Sequence, residues 1–425
     1  MSAEKTIRAV ANTKKQRGSQ AGRQAIPVFL AAEETQPARD FHASCPAYAP
    51  TPLVLLPQLA RELGVGHLLV KDESLRFGLN AFKVLGASYA MARYLYAKLG
   101  HTPEEGMSFA ALAQEETRKQ LGEVTFVTAT DGNHGRAVAW AARELGQRAV
   151  VYLPKGSTAE RVEAIRSLGA QAHVINGNYD EAVRLSEKVA RERGWQVVQD
   201  TAWEGYTTIP GWIMQGYATM AAEAREQLAA LLPDKKPTHL FLQAGVGSMA
   251  AAVLGHFVAE AGGEELVSVI VEPHAANCMV LSAEAADGEP YVAHGELATI
   301  MAGLACGEPN PVAWEILRDH ADFFVSCPDF IAANGMRMLA APKAGDPQVI
   351  SGESGAVGVG LLAALMNKPE YRGLAKQLGL NEESVVLCFS TEGDTDRDSY
   401  RRIVWEGACS SDDKQKGGSD DECHD

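Results

Sequence analysis

Short apolar runs alternate with helical segments along most of this chain, and that alternation constrains the fold more than any other feature. Most of the runs are continuously apolar, as in Val385-Val-Leu-Cys-Phe389, where a half-exposed strand would alternate. Parallel strands that helices cover on both faces have this character. The pattern therefore predicts βαβ units and an open α/β fold. The predicted strands are 67–71, 125–129, 148–153, 171–175, 195–198, 238–243, 267–272, 322–326 and 385–389.

Composition limits the classes of partner. The 425 residues, of which 46% are hydrophobic and 22% charged, suit a globular protein of two or three domains. The 39 Lys and Arg against 54 Asp and Glu give a net charge of −15, which argues against nucleic acid and anionic membrane surfaces as partners. No apolar stretch reaches the roughly 18 residues of a membrane span.

The two ends of the chain differ from the rest. Residues 1–24 are basic and polar and lack the apolar core of a secretory signal, so we predict a disordered basic arm, with a transit peptide as the alternative. Residues 409–425 are almost without apolar side chains and are predicted to form a disordered acidic tail. The seven scattered Cys include no CxxC motif, which favours a reducing cytoplasm and offers no metal site.

A lysine stands at the start of a predicted helix. Lys83 ends the sequence Asn-Ala-Phe-Lys and is followed by the helical segment Val84–Ala90. A cation is unfavourable at the positive end of a helix dipole, so Lys83 is either solvated or covalently neutralised, as in a Schiff base. For a lysine taken alone the solvated interpretation is the more common one.

Three further motifs follow predicted strands, at the edge of the sheet where α/β proteins bind ligands. Each has an ordinary explanation when it is taken alone: a helix cap, a glycine that packs a helix on a strand, or a polar turn. A Gly-rich turn that leads into a helix can also bind an anion. The motifs are Thr130-Asp-Gly-Asn-His-Gly135, Ala244-Gly-Val-Gly-Ser-Met249 and Ser390-Thr-Glu-Gly-Asp-Thr-Asp396.

Together, in this order and at strand ends, the four motifs resemble the fold-type-II pyridoxal-phosphate enzymes over about residues 45–405. The resemblance implies two open α/β domains with the cofactor, pyridoxal 5′-phosphate, in the cleft between them. It also implies a homodimer. We expect 25–87 and 200–405 to form the large cofactor-binding domain and 88–199 the small α/β domain.

Several segments narrow the resemblance to one family. Ala81-Phe-Lys83 stands where dehydratases have Ser-Phe-Lys, and Asp131 where they have a small residue. The segments Thr128-Ala-Thr-Asp-Gly-Asn-His-Gly-Arg136, Asp200-Thr-Ala-Trp-Glu-Gly-Tyr206 and Ser390–Asp396 are similar to those of the diaminopropionate ammonia-lyases. This resemblance implies a carbon–nitrogen lyase that eliminates ammonia from 2,3-diaminopropionate. The product, aminoacrylate, would hydrolyse to pyruvate and more ammonia.

The resemblance assigns a role to each motif. Lys83 would form the Schiff base, Asn133 would bond the ring 3′-oxygen, and Ser390 or Thr391 would face the ring nitrogen. Lys83 and Asp131 would take the α-proton from opposite faces, and Asp200 would bind the second amino group of the substrate. Backbone N–H groups would hold the phosphate, and they are expected from Gly245, Val246, Gly247, Ser248 and Met249. His134 is given no role.

Three alternatives stay open at the level of the sequence. A serine/threonine dehydratase-like lyase would use the same cofactor, but its hydroxyl substrate gives Asp131 and Asp200 no cationic partner. A non-catalytic binding module with this fold would not need Lys83. A nicotinamide oxidoreductase is disfavoured, since no strand is followed by G-x-G-x-x-G and an acidic residue about 20 positions later.

Overall fold

The computed structural model describes residues 6–15, 28–102, 105–130, 132–260 and 266–410, which form two sheets flanked by helices. The strands are β1 (Arg8–Ala11), β2 (Leu53–Leu55), β3 (His67–Asp72), β4 (Thr125–Ala129), β5 (Arg148–Leu153), β6 (Gln171–Val174), β7 (Gln196–Val197), β8 (His239–Gln243), β9 (Val267–Pro273), β10 (Phe323–Cys327) and β11 (Val385–Ser390). All nine predicted strands are confirmed, and each observed end lies within one residue of the prediction.

The α-helices separate these strands. They are α1 (Ala32–Ala43), α2 (Pro57–Leu63), α3 (Val84–Lys98), α4 (Phe109–Leu112), α5 (Glu115–Leu121), α6 (Asn133–Glu144), α7 (Ala159–Arg166), α8 (Tyr179–Arg193), α9 (Thr208–Leu231), α10 (Ser248–Glu260), α11 (Cys278–Ala285), α12 (Pro311–His320), α13 (Asp329–Ala340), α14 (Glu353–Asn367), α15 (Arg372–Leu378) and α16 (Arg397–Val404). Short 3₁₀ turns occupy Val28–Leu30, Glu73–Gly78, His274–Ala276, Ala302–Leu304 and Pro369–Tyr371. Within the described ranges, no helix is both long and apolar enough to cross a membrane.

Among the described residues, the larger sheet has seven strands in the order β1-β10-β9-β8-β11-β3-β2. Its five inner strands are parallel, and β1 and β2 pair antiparallel at the two edges. Both faces are covered, since Leu240 and Leu242 of β8 pack into one apolar layer and Phe241 packs into the other. This double burial accounts for the continuously apolar strands.

The smaller sheet contains β6-β5-β4-β7, all parallel. Its strands all fall inside the segment 88–199 that we predicted as the small domain, whereas β2, β3 and β8–β11 fall inside the predicted large domain. The domain boundaries themselves stay a prediction.

The prediction of a disordered arm over residues 1–24 is wrong for Arg8–Ala11. These residues form β1, which pairs with β10 from Arg8 opposite Ser326 to Ala11 opposite Phe323. An edge strand gains backbone hydrogen bonds whatever its side chains are, and the four residues Arg-Ala-Val-Ala are too short a run to stand out in a basic segment. The rest of that arm, apart from 6–7 and 12–15, and the predicted tail from 411 onwards lie outside the described residues.

Helix α3, which begins directly after Lys83, is held against α9 by a close approach of the two backbones. A Cβ atom on Gly216 of α9 would lie 2.8 Å from the Cα of Gly86 and would also meet the Leu85 carbonyl oxygen. Just before α3, the Phe82 ring packs on Tyr217 of α9 at 4.7 Å between ring centroids. These contacts fix the position of Lys83.

We expect Gly216→Ala to lower the free energy of unfolding by about 1–3 kcal/mol, because the added methyl forces α3 and α9 apart. Urea unfolding followed by circular dichroism measures the change. Gly211→Ala is the matched control, since Gly211 lies in the same helix and a Cβ there would have no atom within 4 Å. That control should be neutral or stabilising by up to about 1 kcal/mol. Equal losses in both variants would contradict the close-packing argument.

Candidate active site

A cleft opens at the carboxyl ends of β4, β8 and β11. Most of the predicted site residues line it: Lys83, Asn133, Asp200, Gly245–Met249 and Thr391. Asp131 lies outside the described residues, and Ser390 is fully buried behind the cleft wall. The structure therefore brings the four motifs of the sequence to one place.

An ion pair joins the two sheets across the cleft. Lys83 lies at the start of α3, and its Nζ donates to Oδ2 of Asp200, which follows β7, at 2.5 Å. The Asp200 side chain is 3% exposed and that of Lys83 is 16% exposed. Burial would raise the pKa of Asp200, but the ammonium of Lys83 and the ring of His134 outweigh it and lower this pKa to about 2. Asp200 is therefore an anion at neutral pH.

His134 belongs to this cluster, although sequence reasoning assigned it no role. Its Nε2 lies 2.9 Å from the Val198 carbonyl oxygen, and its Nδ1 lies 4.0 Å from Asp200 Oδ2. The ring is buried in the second position of α6. The sequence feature that could have indicated a role for His134 is its position next to Asn133, at the start of a helix that follows a buried strand.

The backbone of Asp200 is tied to the Gly-rich loop. Ser248 Oγ donates to the Asp200 carbonyl oxygen and accepts from Asn310 Nδ2 at 2.8 Å. The Asn310 backbone N–H in turn donates to the Val246 carbonyl oxygen at 2.8 Å. Asn310 is buried and also caps α12 through bonds to Val312 and Ala313. Sequence reasoning missed Asn310, since an Asn-Pro pair at a helix start is adequately explained as a cap.

The loop Gly245–Met249 has the shape of an anion cradle. It runs from the end of β8 into α10, whose first-turn N–H groups have no acceptor within the helix. Gly247 has φ +94°, and a Cβ there would lie 2.5 Å from Met279 Cε. A Cβ on Gly245 would lie 3.2 Å from the Gly303 carbonyl oxygen. These glycines let the loop pack closely on Met279 and Gly303 while its residues line the cleft, and the residues present fit pyridoxal phosphate.

Two hydroxyls were candidates for the ring nitrogen, and only Thr391 lines the cleft. Its Oγ1 accepts from Gln243 Nε2 at 2.8 Å, which leaves its own proton to donate. Ser390 Oγ instead donates to Ser351 Oγ at 2.8 Å. The period of two in an extended segment explains why neighbouring hydroxyls face opposite sides.

The similarities to known proteins agree with this geometry. Residues 45–387 match the family of pyridoxal-phosphate dependent enzymes. This chain belongs to that family. It is 55% identical to the diaminopropionate ammonia-lyase of Escherichia coli K12 over 371 residues, which is 87% of this chain and 91% of the relative.

Solved structures give the same result. The chain matches Escherichia coli diaminopropionate ammonia lyase in complex with an aminoacrylate–PLP azomethine reaction intermediate, with a TM-score of 0.86 and 50% identity over 96% of this chain and 98% of the other. The same enzyme in complex with D-serine matches with a TM-score of 0.88 and 49% identity over the same shares. The predicted fold type II and the resemblance to the diaminopropionate ammonia-lyases are confirmed.

We expect Gly247→Ala to weaken binding of pyridoxal phosphate at least about tenfold, because a Cβ on this left-handed backbone would push on Met279 and shift the loop that holds the phosphate. Titration of the apoprotein with the cofactor, followed by visible absorbance, measures the affinity. Gly156→Ala is the control, since Gly156 has φ +88° with nothing within 4 Å of its Cβ position. If Gly247→Ala bound the cofactor as well as Gly156→Ala, the cradle assignment would be wrong.

Proposed function

We propose that this chain catalyses the α,β-elimination of ammonia from D- and L-2,3-diaminopropionate. The observation that carries the proposal is the pair of Lys83 and Asp200, an amine and a carboxylate whose pKa the ammonium lowers, in one cleft. The substrate has two ammonium groups, at its α- and β-carbons. Asp200 already accepts a hydrogen bond from the ammonium group of Lys83, so it is suited to bind the β-ammonium group of the substrate. The 55% identity to a diaminopropionate ammonia-lyase supports the same substrate.

The residues of the cleft would hold the cofactor in a defined way. Lys83 would attach it covalently, and the backbone N–H groups of Gly245–Met249 would hold its phosphate. Asn133 would donate to the ring oxygen and Thr391 to the ring nitrogen. When bound, pyridoxal phosphate supplies an electron sink for the charge that develops at the α-carbon.

The remaining chemistry is proton transfer and charge recognition. Lys83 would take the α-proton of the L-isomer, and Asp131 that of the D-isomer, because opposite proton directions need bases on opposite faces. Asp200 would bind the β-ammonium group. Loss of that group as ammonia gives aminoacrylate, and water then converts it to pyruvate with release of a second ammonia.

A serine/threonine dehydratase-like reaction is the alternative function. It needs the same cofactor residues but no anion for a second ammonium group. Asp200 disfavours it, since a hydroxyl substrate would leave this buried carboxylate without a cation from the substrate.

A substrate panel tests the proposal. We expect pyruvate from D- and L-diaminopropionate, with two ammonia released per pyruvate, and much slower turnover of D-serine and L-threonine. Pyruvate and ammonia are measured in the same reaction by coupled assays. Faster turnover of L-threonine or D-serine than of diaminopropionate would favour the dehydratase alternative, and a protein with no visible cofactor absorbance would contradict both.

Asp131→Asn tests the two-base arrangement. The substitution nearly keeps the volume but removes the base, so turnover of the D-isomer should fall about 10²–10⁴-fold while the L-isomer keeps most of its kcat. Both isomers are measured on one preparation whose cofactor content is known, which makes the L-isomer the internal control. Equal losses of kcat on both isomers would mean that Asp131 only positions substrate.

The assembly and the compartment stay predictions. The resemblance implies a homodimer, and the absence of a CxxC motif among the scattered cysteines favours the cytoplasm. Sedimentation of the purified protein measures whether it is a dimer.

A further inference from the structure

Glu392 places a carboxylate in the cleft that the proposed function does not use. It follows Thr391 beyond β11, and its side chain lines the same cleft as Lys83 and Asn133. The residue is only 6% exposed. A carboxylate this buried needs hydrogen-bond donors to be stable, so the donors that it contacts indicate what it does.

Both carboxylate oxygens of Glu392 accept hydrogen bonds. Oε1 accepts from the backbone N–H of Ser354 at 3.1 Å, and Oε2 accepts from Asn133 Nδ2. The main chain is fixed as well, because the Glu392 carbonyl oxygen accepts from Gly352 N–H at 2.9 Å and Ala81 forms an antiparallel bridge with Glu392. The side chain therefore reaches Asn133 from a rigid base.

The contact with Asn133 has a direction. An ionised carboxylate can only accept, whereas an asparagine amide has a donor end and an acceptor end. Asn133 must therefore turn its NH₂ group, and not its carbonyl oxygen, toward Glu392. The same nitrogen carries a second hydrogen that this bond does not use.

We propose that Glu392 is a positioning residue that fixes the amide orientation of Asn133, so that the second N–H serves as the donor to the ring oxygen of the cofactor. The proposal rests on the proposed function, in which Asn133 binds that oxygen. Without Glu392 the amide could turn over, and its carbonyl oxygen would then face the ring oxygen and repel it.

Glu353 is a second buried carboxyl group that interacts electrostatically with Glu392. Burial, together with the negative charge of Glu392, raises the pKa of Glu353 to about 7. Glu353 Oε1 also accepts from Ser399 Oγ at 2.6 Å.

A double-mutant cycle on the full-length holoenzyme and its apoprotein tests the proposal. Glu392→Gln should weaken pyridoxal phosphate binding about tenfold, which is the order of one charge-assisted hydrogen bond, and should shift the visible absorption maximum of the bound cofactor. In an Asn133→Ala background the same change should weaken binding by less than about twofold, since the amide that Glu392 orients is gone. Cofactor titration of the apoproteins gives all four affinities.

Glu353→Gln is the matched control, because it makes the same atomic change in a neighbouring buried carboxyl group whose hydrogen bond goes to Ser399 instead of Asn133. Its affinity should stay within about twofold of the parent. Glu392→Asp is the second variant; it keeps the charge but is one methylene too short for Asn133, so it too should weaken binding about tenfold.

Three results would overturn the proposal: no loss of affinity in Glu392→Gln or Glu392→Asp, equal losses with and without Asn133, or an equal loss in Glu353→Gln. An equal loss in Glu353→Gln would indicate that buried carboxyl groups near the cleft affect cofactor binding through their charge or packing, and not through Asn133. A parent protein that binds no pyridoxal phosphate would instead overturn the proposed function on which this inference rests.

Discussion

The Lys83–Asp200 ion pair is the interaction on which the rest of the site depends. Each partner comes from a different part of the chain: Lys83 begins a helix that packs on α9, and Asp200 follows the edge strand of the small sheet. Burying two charges is costly, and removing one partner would leave the other uncompensated. The surrounding contacts hold both groups in place, with Phe82 packed on Tyr217 and Ser248 bonded to the Asp200 backbone. Because the Lys83–Asp200 pair lines the same cleft as the loop Gly245–Met249, we attribute the pair to catalysis and not to stability.

Lys71, a fully buried lysine, contrasts with Lys83 because its role is structural. Lys71 is fully buried, and its Nζ donates to Glu223 Oε2 at 2.6 Å, to the Thr51 carbonyl oxygen at 2.7 Å and to Gln227 Oε1 at 2.9 Å. An ammonium group has three hydrogens, so these bonds use them all. Lys71 therefore stabilises the contact of β3 with α9. Of the two lysines, Lys83 lines the cleft and Lys71 does not.

The parts of the fold that could be predicted are those with a hydrophobic signal. The inner parallel strands are longer apolar runs because both faces are covered, whereas the antiparallel edge strands β1 and β2 have only four and three residues and are too short for a clear pattern. Glycine and lysine motifs at strand ends located the cleft. The choice between Ser390 and Thr391 depends on which face of an extended segment each occupies. The contact of Glu392 with Asn133, far apart in sequence, depends on tertiary packing that no local pattern records.

The central claim is that Lys83 is the amine that carries the cofactor. Borohydride reduction of the holoenzyme, followed by proteolysis and mass spectrometry, fixes the cofactor on the lysine that holds it. The account predicts one labelled peptide, containing Lys83. A label on Lys71 or Lys155, with Lys83 unmodified, would contradict it.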